Sequence, residues 1–129
     1  MRLLLDTHIV LAVLGEGDAG LTARHRALLT QPEVLALVSV ASLWEVAIKH
    51  RHGRLALTVP MDDLPERLRT LRMKLVPITV EHVLASYDPV PPTSDPFDRL
   101  LLAVTRVEAA ALVTRDSRLR EHPLAWRPA

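Results

Sequence analysis

Short apolar runs alternate along the chain with longer stretches in which apolar residues recur every three or four positions. Met1 to Leu5 is a run of strand length broken only by Arg2, and it ends at Asp6-Thr7. Such a run, apolar on successive residues, predicts a strand buried on both faces of a parallel sheet. A helix over Ile9 to Leu14 opens from Asp6 or Thr7, and the segment Gly15 to Gly20 breaks it. Thr22 to Thr30 reads as a second helix with Arg24, His25 and Arg26 on its polar side, and Val34 to Val38 as a second strand. After Ser39, residues Val40, Leu43, Trp44, Ala47 and Ile48 form one helical stripe that ends at Gly53. Ser42 and Glu45 have the spacing of a capping box within it.

Leu55 to Val59 reads as a short extended piece, Met61 to Arg72 as a helix with Leu64, Leu68 and Leu71 inward, Leu75 to Ile78 as a strand, and Thr79 to Ser86 as a short helix. Tyr87 to Pro96 holds four of the ten prolines and predicts an extended loop. The strongest helical signal follows. Asp95 is placed as an N-cap, Pro96 as the first helical residue and Asp98 on the first turn, while Phe97, Leu100, Leu101, Val104 and Val107 make an apolar stripe as far as about Ala109. Ala110 to Thr114 predicts a last strand ending at Arg115-Asp116. Ser117 to His122 has room for one or two helical turns, and the tail around Trp126 for an edge strand. Strands alternating with helices predict an α/β fold with a central, mostly parallel sheet and helices on both faces. Ligands of such folds bind outside the carboxyl ends of the strands.

The length, 129 residues, predicts a single domain over 1–129. Hydrophobic residues make up 49% of the chain and aromatics only 3%, so the core must be aliphatic. No cysteine is present, which excludes a disulfide framework and any thiolate metal site. A net charge of +1 names no partner. No apolar run has membrane-spanning length and the first residues read as a strand, not a signal peptide, so the expected location is the cytoplasm.

The chemistry lies in the acids. Asp6 follows the first predicted strand and Asp116 the last, and Glu45 lies about two turns past the second. Asp98 joins them if its helix starts at the same edge of the sheet. Taken singly, each acid is explained by helix capping or the helix dipole. Capping does not require that they gather in one place, however, and gathered carboxylates repel until one is protonated or a cation is bound. Oxygen ligands without cysteine suit Mg²⁺ or Mn²⁺, and such a site commonly hydrolyses phosphodiesters.

Four blocks then resemble the signatures of PIN-domain ribonucleases, above all the VapC-type toxins of bacterial toxin–antitoxin pairs: Leu3-Leu4-Leu5-Asp6-Thr7-His8, Ser42-Leu43-Trp44-Glu45, Asp95-Pro96-Phe97-Asp98-Arg99 and Val113-Thr114-Arg115-Asp116. The resemblance implies a PIN-like fold and a Mg²⁺- or Mn²⁺-dependent endoribonuclease. It also implies neutralisation by a cognate antitoxin and a homodimer. Asp6, Glu45, Asp98 and Asp116 match the acidic metal site, and Thr114 a supporting hydroxyl. Asp95 is assigned to capping. Relatives often carry a histidine where this chain has Thr93.

Thr7, Lys49, Arg99 and Arg115 are further candidates for supporting the acids or meeting substrate. For Lys49 a helical ion pair with Glu45 is the preferred reading, and the arginines equally suit a solvated surface. His8, His50 and His52 form no zinc pattern. Four aromatics cannot build a base-stacking platform, so phosphate and shape dominate any RNA recognition. Other readings of the same acids are a binding scaffold that cleaves little, a phosphatase and a DNA nuclease. The phosphatase reading is weakened because no second aspartate lies two residues after Asp6.

Overall fold

The computed structural model describes residues 1–17 and 20–128, so Asp18 and Ala19 of the expected Gly15 to Gly20 break lie outside it. Strand β1 (Arg2–Leu5) leads into helix α1 (Thr7–Leu14), α2 (Ala23–Leu29), β2 (Leu35–Ser39) and α3 (Val40–Arg51). A 3-10 turn (Met61–Asp63) opens α4 (Leu64–Thr70), and β3 (Lys74–Val76), α5 (Val80–Leu84), α6 (Pro96–Val107) and β4 (Ala111–Val113) follow. The sheet has four parallel strands in the order β3-β2-β1-β4. Leu4 sits opposite Leu37 on one side and Leu112 on the other, so β1 is central. Chain order reverses between β1 and β4, the position at which α/β sheets open a binding crevice.

Side chains alternate across β1 and divide the core. Leu3 and Leu5 pack with Ile9, Val10, Leu14, Val46, Leu64 and Leu68 on one face. Leu4 packs with Leu37, Ala41, Leu101, Leu102 and Leu119 on the other. Helices thus cover both faces, as the alternating pattern predicts. Helix α1 ends on Gly15, whose left-handed φ of 73° lets its N–H and that of Glu16 return to the last carbonyls of the helix.

Two helices present faces other than those their apolar spacing suggests. In α3 the buried residues are Ala41, Ser42, Val46 and Ala47, while Val40 is exposed and Trp44 is 56% exposed. Small side chains let α3 approach α1, where the Thr7 hydroxyl donates to Ser42 Oγ at 3.1 Å. Trp44 is too bulky for that contact and rests edge-on against Phe97 at the rim, ring centroids 5.5 Å apart. The helix is capped by Ser39, whose Oγ accepts from Ala41 N, so the expected capping box at Ser42 does not form. In α6 the buried face runs through Asp98, Leu101, Leu102 and Thr105, with Phe97, Leu100 and Val107 only half-buried. A polar residue can occupy that face because it is satisfied there: Thr105 Oγ1 donates to Leu101 O at 2.7 Å.

Smaller differences also have local causes. Leu55 to Val59 forms no strand, because its ordering contact is Glu16, whose carboxylate accepts from Thr58 N and Oγ1. Leu71 is exposed because α4 ends at Thr70, and Leu64 and Leu68 alone face the core. The tail adds a single parallel bridge, Leu112 to Ala125, instead of an edge strand. Among the described residues no helix is long and apolar enough to cross a membrane.

Candidate active site

The carboxyl end of β1 delivers Asp6 directly into α1 as its N-cap. Its Oδ1 accepts from Thr7 N at 2.7 Å, and its Oδ2 accepts from Thr114 Oγ1 at 2.6 Å. Thr114 follows the neighbouring strand β4, so the sheet register itself sets this pair: Asp6 N donates to Val113 O at 2.9 Å. The Thr114 oxygen also accepts from Asp116 N at 3.0 Å, so one hydroxyl ties two of the acids together. Burial holds the Asp6 carboxyl above its usual range, and the negative charge of Glu45 adds to that; the Thr114 hydrogen bond and nearby His8 oppose it.

Asp98 reaches the same edge because α6 runs antiparallel to the strand it precedes. Thr93 Oγ1 donates to Asp98 Oδ2 at 3.1 Å and accepts from Asp95 N, while Asp95 caps Phe97 N. Thr93 thus supplies a hydrogen-bond donor to Asp98 from the proline-rich loop. Burial and the negative charges of Asp95, Asp6 and Asp116 push Asp98 up to about 6. Asp116 goes the other way, held below its usual range chiefly by the hydrogen bond from Arg118.

Glu45 faces inward from α3, with its side chain 13% exposed, and pairs with Lys49 at 3.0 Å. That is the helical ion pair expected of Lys49. Thr7 serves the helix contact with Ser42. Arg99 points to the proline-rich loop, donating through Nε and Nη2 to Thr93 O and through Nη1 to the Tyr87 hydroxyl, with its guanidinium 5.7 Å from the Tyr87 ring. Its geometry is that of a residue supporting Thr93, and through Thr93, Asp98. Arg115 leaves the acids and donates to Gly20 O at 2.7 Å.

Arg118 carried no signal in the apolar pattern and proves central. Its Nη2 lies 2.7 Å from Asp116 Oδ2 and 3.7 Å from Asp98 Oδ2, and its Nη1 is 3.4 Å from Thr93 Oγ1. The two-residue separation of Asp116 and Arg118, with Asp116 Oδ1 accepting from Arg118 N, is the one feature of the sequence that could have pointed to it. Among the described residues no three acid or histidine side chains converge as tightly as the ligands of a bound ion. The donor chemistry nevertheless suits a hard cation: the set is all carboxylate, and burial and mutual charge raise two members above their usual range, which a divalent ion would relieve.

The sequence matches the PIN domain family over residues 3–123, nearly the whole chain. This chain belongs to the PIN domain family. PIN domains are generally nucleases that typically use divalent metal ions. The structure of VapBC2 from Rickettsia felis, bound to a DNA fragment from their promoter, superposes with a TM-score of 0.59 at 14% sequence identity. The match covers 97% of this chain and 96% of that one, and at this identity it establishes the shared fold. No curated protein matches the chain. In this PIN domain the acids stand at the β1/β4 crevice, where the reversal of strand order opens the sheet.

Proposed function

We propose that this PIN domain is a Mg²⁺- or Mn²⁺-dependent endoribonuclease of the VapC toxin type, neutralised by a cognate antitoxin. The observation that carries the reading is the electrostatic coupling of Asp98 to Asp6 and Asp116 at the carboxyl edge of the sheet. Capping accounts for Asp6 at the start of α1 and does not account for the mutual repulsion of Asp6, Asp98 and Asp116. Asp6, Glu45, Asp98 and Asp116 would hold the cation, which supplies a polarised water and offsets charge on the scissile phosphodiester. The rest is done by the protein's own groups. Thr114 holds Asp6 with the Asp116 backbone, Thr93 holds Asp98, Arg99 holds the Thr93 loop, and Lys49 fixes the rotamer of Glu45. The fully buried Leu4 and Leu5 anchor the first acid to the central strand.

The VapBC2 likeness supports an antitoxin partner. A homodimer is supported by α5, which exposes Val80 (74%), Val83 and Leu84 (78%). The proposal places the protein in the cytoplasm, where RNA and a cognate antitoxin would both meet it. The reading is tested by thermal unfolding with and without Mn²⁺ or Mg²⁺, for the wild type, Asp98→Asn and Glu45→Gln. A midpoint raised by ions in the wild type and unmoved in both variants supports one metal site. Cleavage of RNA in Mn²⁺ that EDTA stops, and that Asp98→Asn loses, supports the activity.

One observation favours a second reading. Asp98 and Asp116 already accept a guanidinium, that of Arg118, as they would an arginine of a partner protein. On that reading the chain is a weakly catalytic binding scaffold, and its RNA cleavage survives Asp98→Asn.

A further inference from the structure

A cleft of about 830 Å³ opens beside the acids, and Thr114 belongs to both. Its hydroxyl donates to Asp6, while the residue lines the cleft wall. The wall also carries Arg24 from α2, Arg115 from the turn after β4, and Arg120 and Arg127 from the C-terminal segment. Its one acid, Glu121, stands 4.0 Å from Arg127. Arg24, Arg115 and Arg120 form no ion pair among the described residues. Buried His25 lies edge-on to Trp126, ring centroids 6.2 Å apart, and its Nδ1 has no hydrogen-bond partner among the described residues. Burial and the charges of Arg115 and Arg24 hold this imidazole below its usual range.

We infer that this cleft is a subsite for the phosphodiester backbone of a single RNA strand, on one side of the bond held at the acids. The inference rests on the endoribonuclease reading and adds to it the direction in which the strand leaves. An acid site repels a polyanion, so the flanking phosphates need positive charge within a residue or two of it. The cleft provides that charge across the width of a single threonine. Its volume suits a nucleotide unit. Guanidinium groups pair well with phosphate oxygens, and the His25 ring on the same wall is a further contact surface for a base or ribose. An acidic polypeptide is the competing occupant. Protein segments dock through apolar anchors, and Trp126 is the one large apolar side chain on this wall, whereas the exposed valines and leucine of α5 lie elsewhere.

The test is binding of a fluorescein-labelled single-stranded oligoribonucleotide of mixed sequence, followed by anisotropy in EDTA so that nothing is cleaved. The chains compared are the wild type, Arg24→Gln/Arg120→Gln, His25→Phe, and Arg69→Gln on α4 as a control, each checked for an unchanged melting midpoint. The double variant is expected to bind roughly tenfold more weakly at physiological salt and to lower the slope of log affinity against log salt by about 1.4, two phosphate contacts at about 0.7 each for single strands. His25→Phe is expected to weaken binding severalfold, and Arg69→Gln to leave it unchanged. Equal affinity and slope in the wild type and the double variant overturn the subsite, and so does a wild type that binds no RNA. If the double variant releases poly-L-glutamate yet retains RNA, the cleft takes acidic polypeptide and the inference fails. The endoribonuclease reading fails separately, when RNA binding depends on these arginines but neither ions nor Asp98→Asn change stability or cleavage.

Discussion

Asp98→Asn separates a site acid from a capping acid by the sign of its effect on stability. Asp98 is raised from 3.8 to about 6 by burial and by Asp95, Asp6 and Asp116. Between those values the folded chain holds the proton and the unfolded chain does not. Stability therefore falls as pH rises through this window, and above about 6 the fold carries the full cost of the charged form. At about 1.36 kcal/mol per unit, the shift corresponds to roughly 3 kcal/mol before screening. Solvent at the mouth of the site and the guanidinium of Arg118, 3.7 Å away, reduce this. The dipole at the start of α6 opposes it by about 0.3–1 kcal/mol. A net cost of about 1 kcal/mol remains, so in EDTA near neutral pH the Asp98→Asn chain should melt higher than the wild type by roughly 4 °C. The gap should close as pH is lowered through about 6 towards 4, where the wild-type carboxyl is protonated. The assay is differential scanning fluorimetry across that pH range, repeated with Mn²⁺, which should raise the wild type alone. An acid that serves only the helix dipole gives the reverse result, since the amide removes the charge that the dipole favours. A variant that melts at or below the wild type in EDTA, or a gap independent of pH, would refute the reasoning.

Three further outcomes follow from individual contacts. Arg118→Gln removes the cation now paired with Asp116 and Asp98 and should tighten the apparent affinity for Mn²⁺ in isothermal titration; an unchanged affinity means that the guanidinium does not compete for those oxygens. Thr114→Val deletes the hydroxyl shared by Asp6 and Asp116 and should lower RNA cleavage by at least roughly tenfold with little change in fold, given about 1.5 kcal/mol or more for a hydrogen bond to a charged group; circular dichroism beside the rate checks both parts. Glu16 is held below its usual range, chiefly by the Thr58 hydroxyl, so its contribution is present above about 4.5 and lost as pH falls through the lower folded value. Glu16→Gln should lower the urea midpoint near neutral pH by an amount worth about 1–2 kcal/mol, and the difference should shrink in acid.

Much of this protein was legible in the order of its residues. Strand length, the alternation of strands with helices, and proline just inside the start of α6 are local properties, and they predict a parallel α/β sheet before any contact is known. The four blocks around Asp6, Glu45, Asp98 and Asp116 likewise pointed to the PIN family that the match over residues 3–123 establishes. Helix facing was legible only in part: Leu64, Leu68, Leu101 and Val104 are buried as their spacing predicts. Apolar spacing put Trp44 and Phe97 inward, but burial followed the small residues that let α3 approach α1 and the polar groups whose partners come from elsewhere: Ser42 from Thr7, Asp98 from Thr93. The pairings that shape the site join residues far apart in the chain, such as Thr114 with Asp6 and Arg118 with Asp98, and no periodicity encodes a partner. The basic cleft has the same origin, gathering α2, the turn after β4 and the C-terminal segment around His25. Sequence pattern thus determined which elements form and which carry acids. Only tertiary packing decided which way each helix turns, which hydroxyl or guanidinium meets which carboxylate, and where positive charge collects beside them, because each of these depends on segments meeting across the carboxyl edge of the sheet.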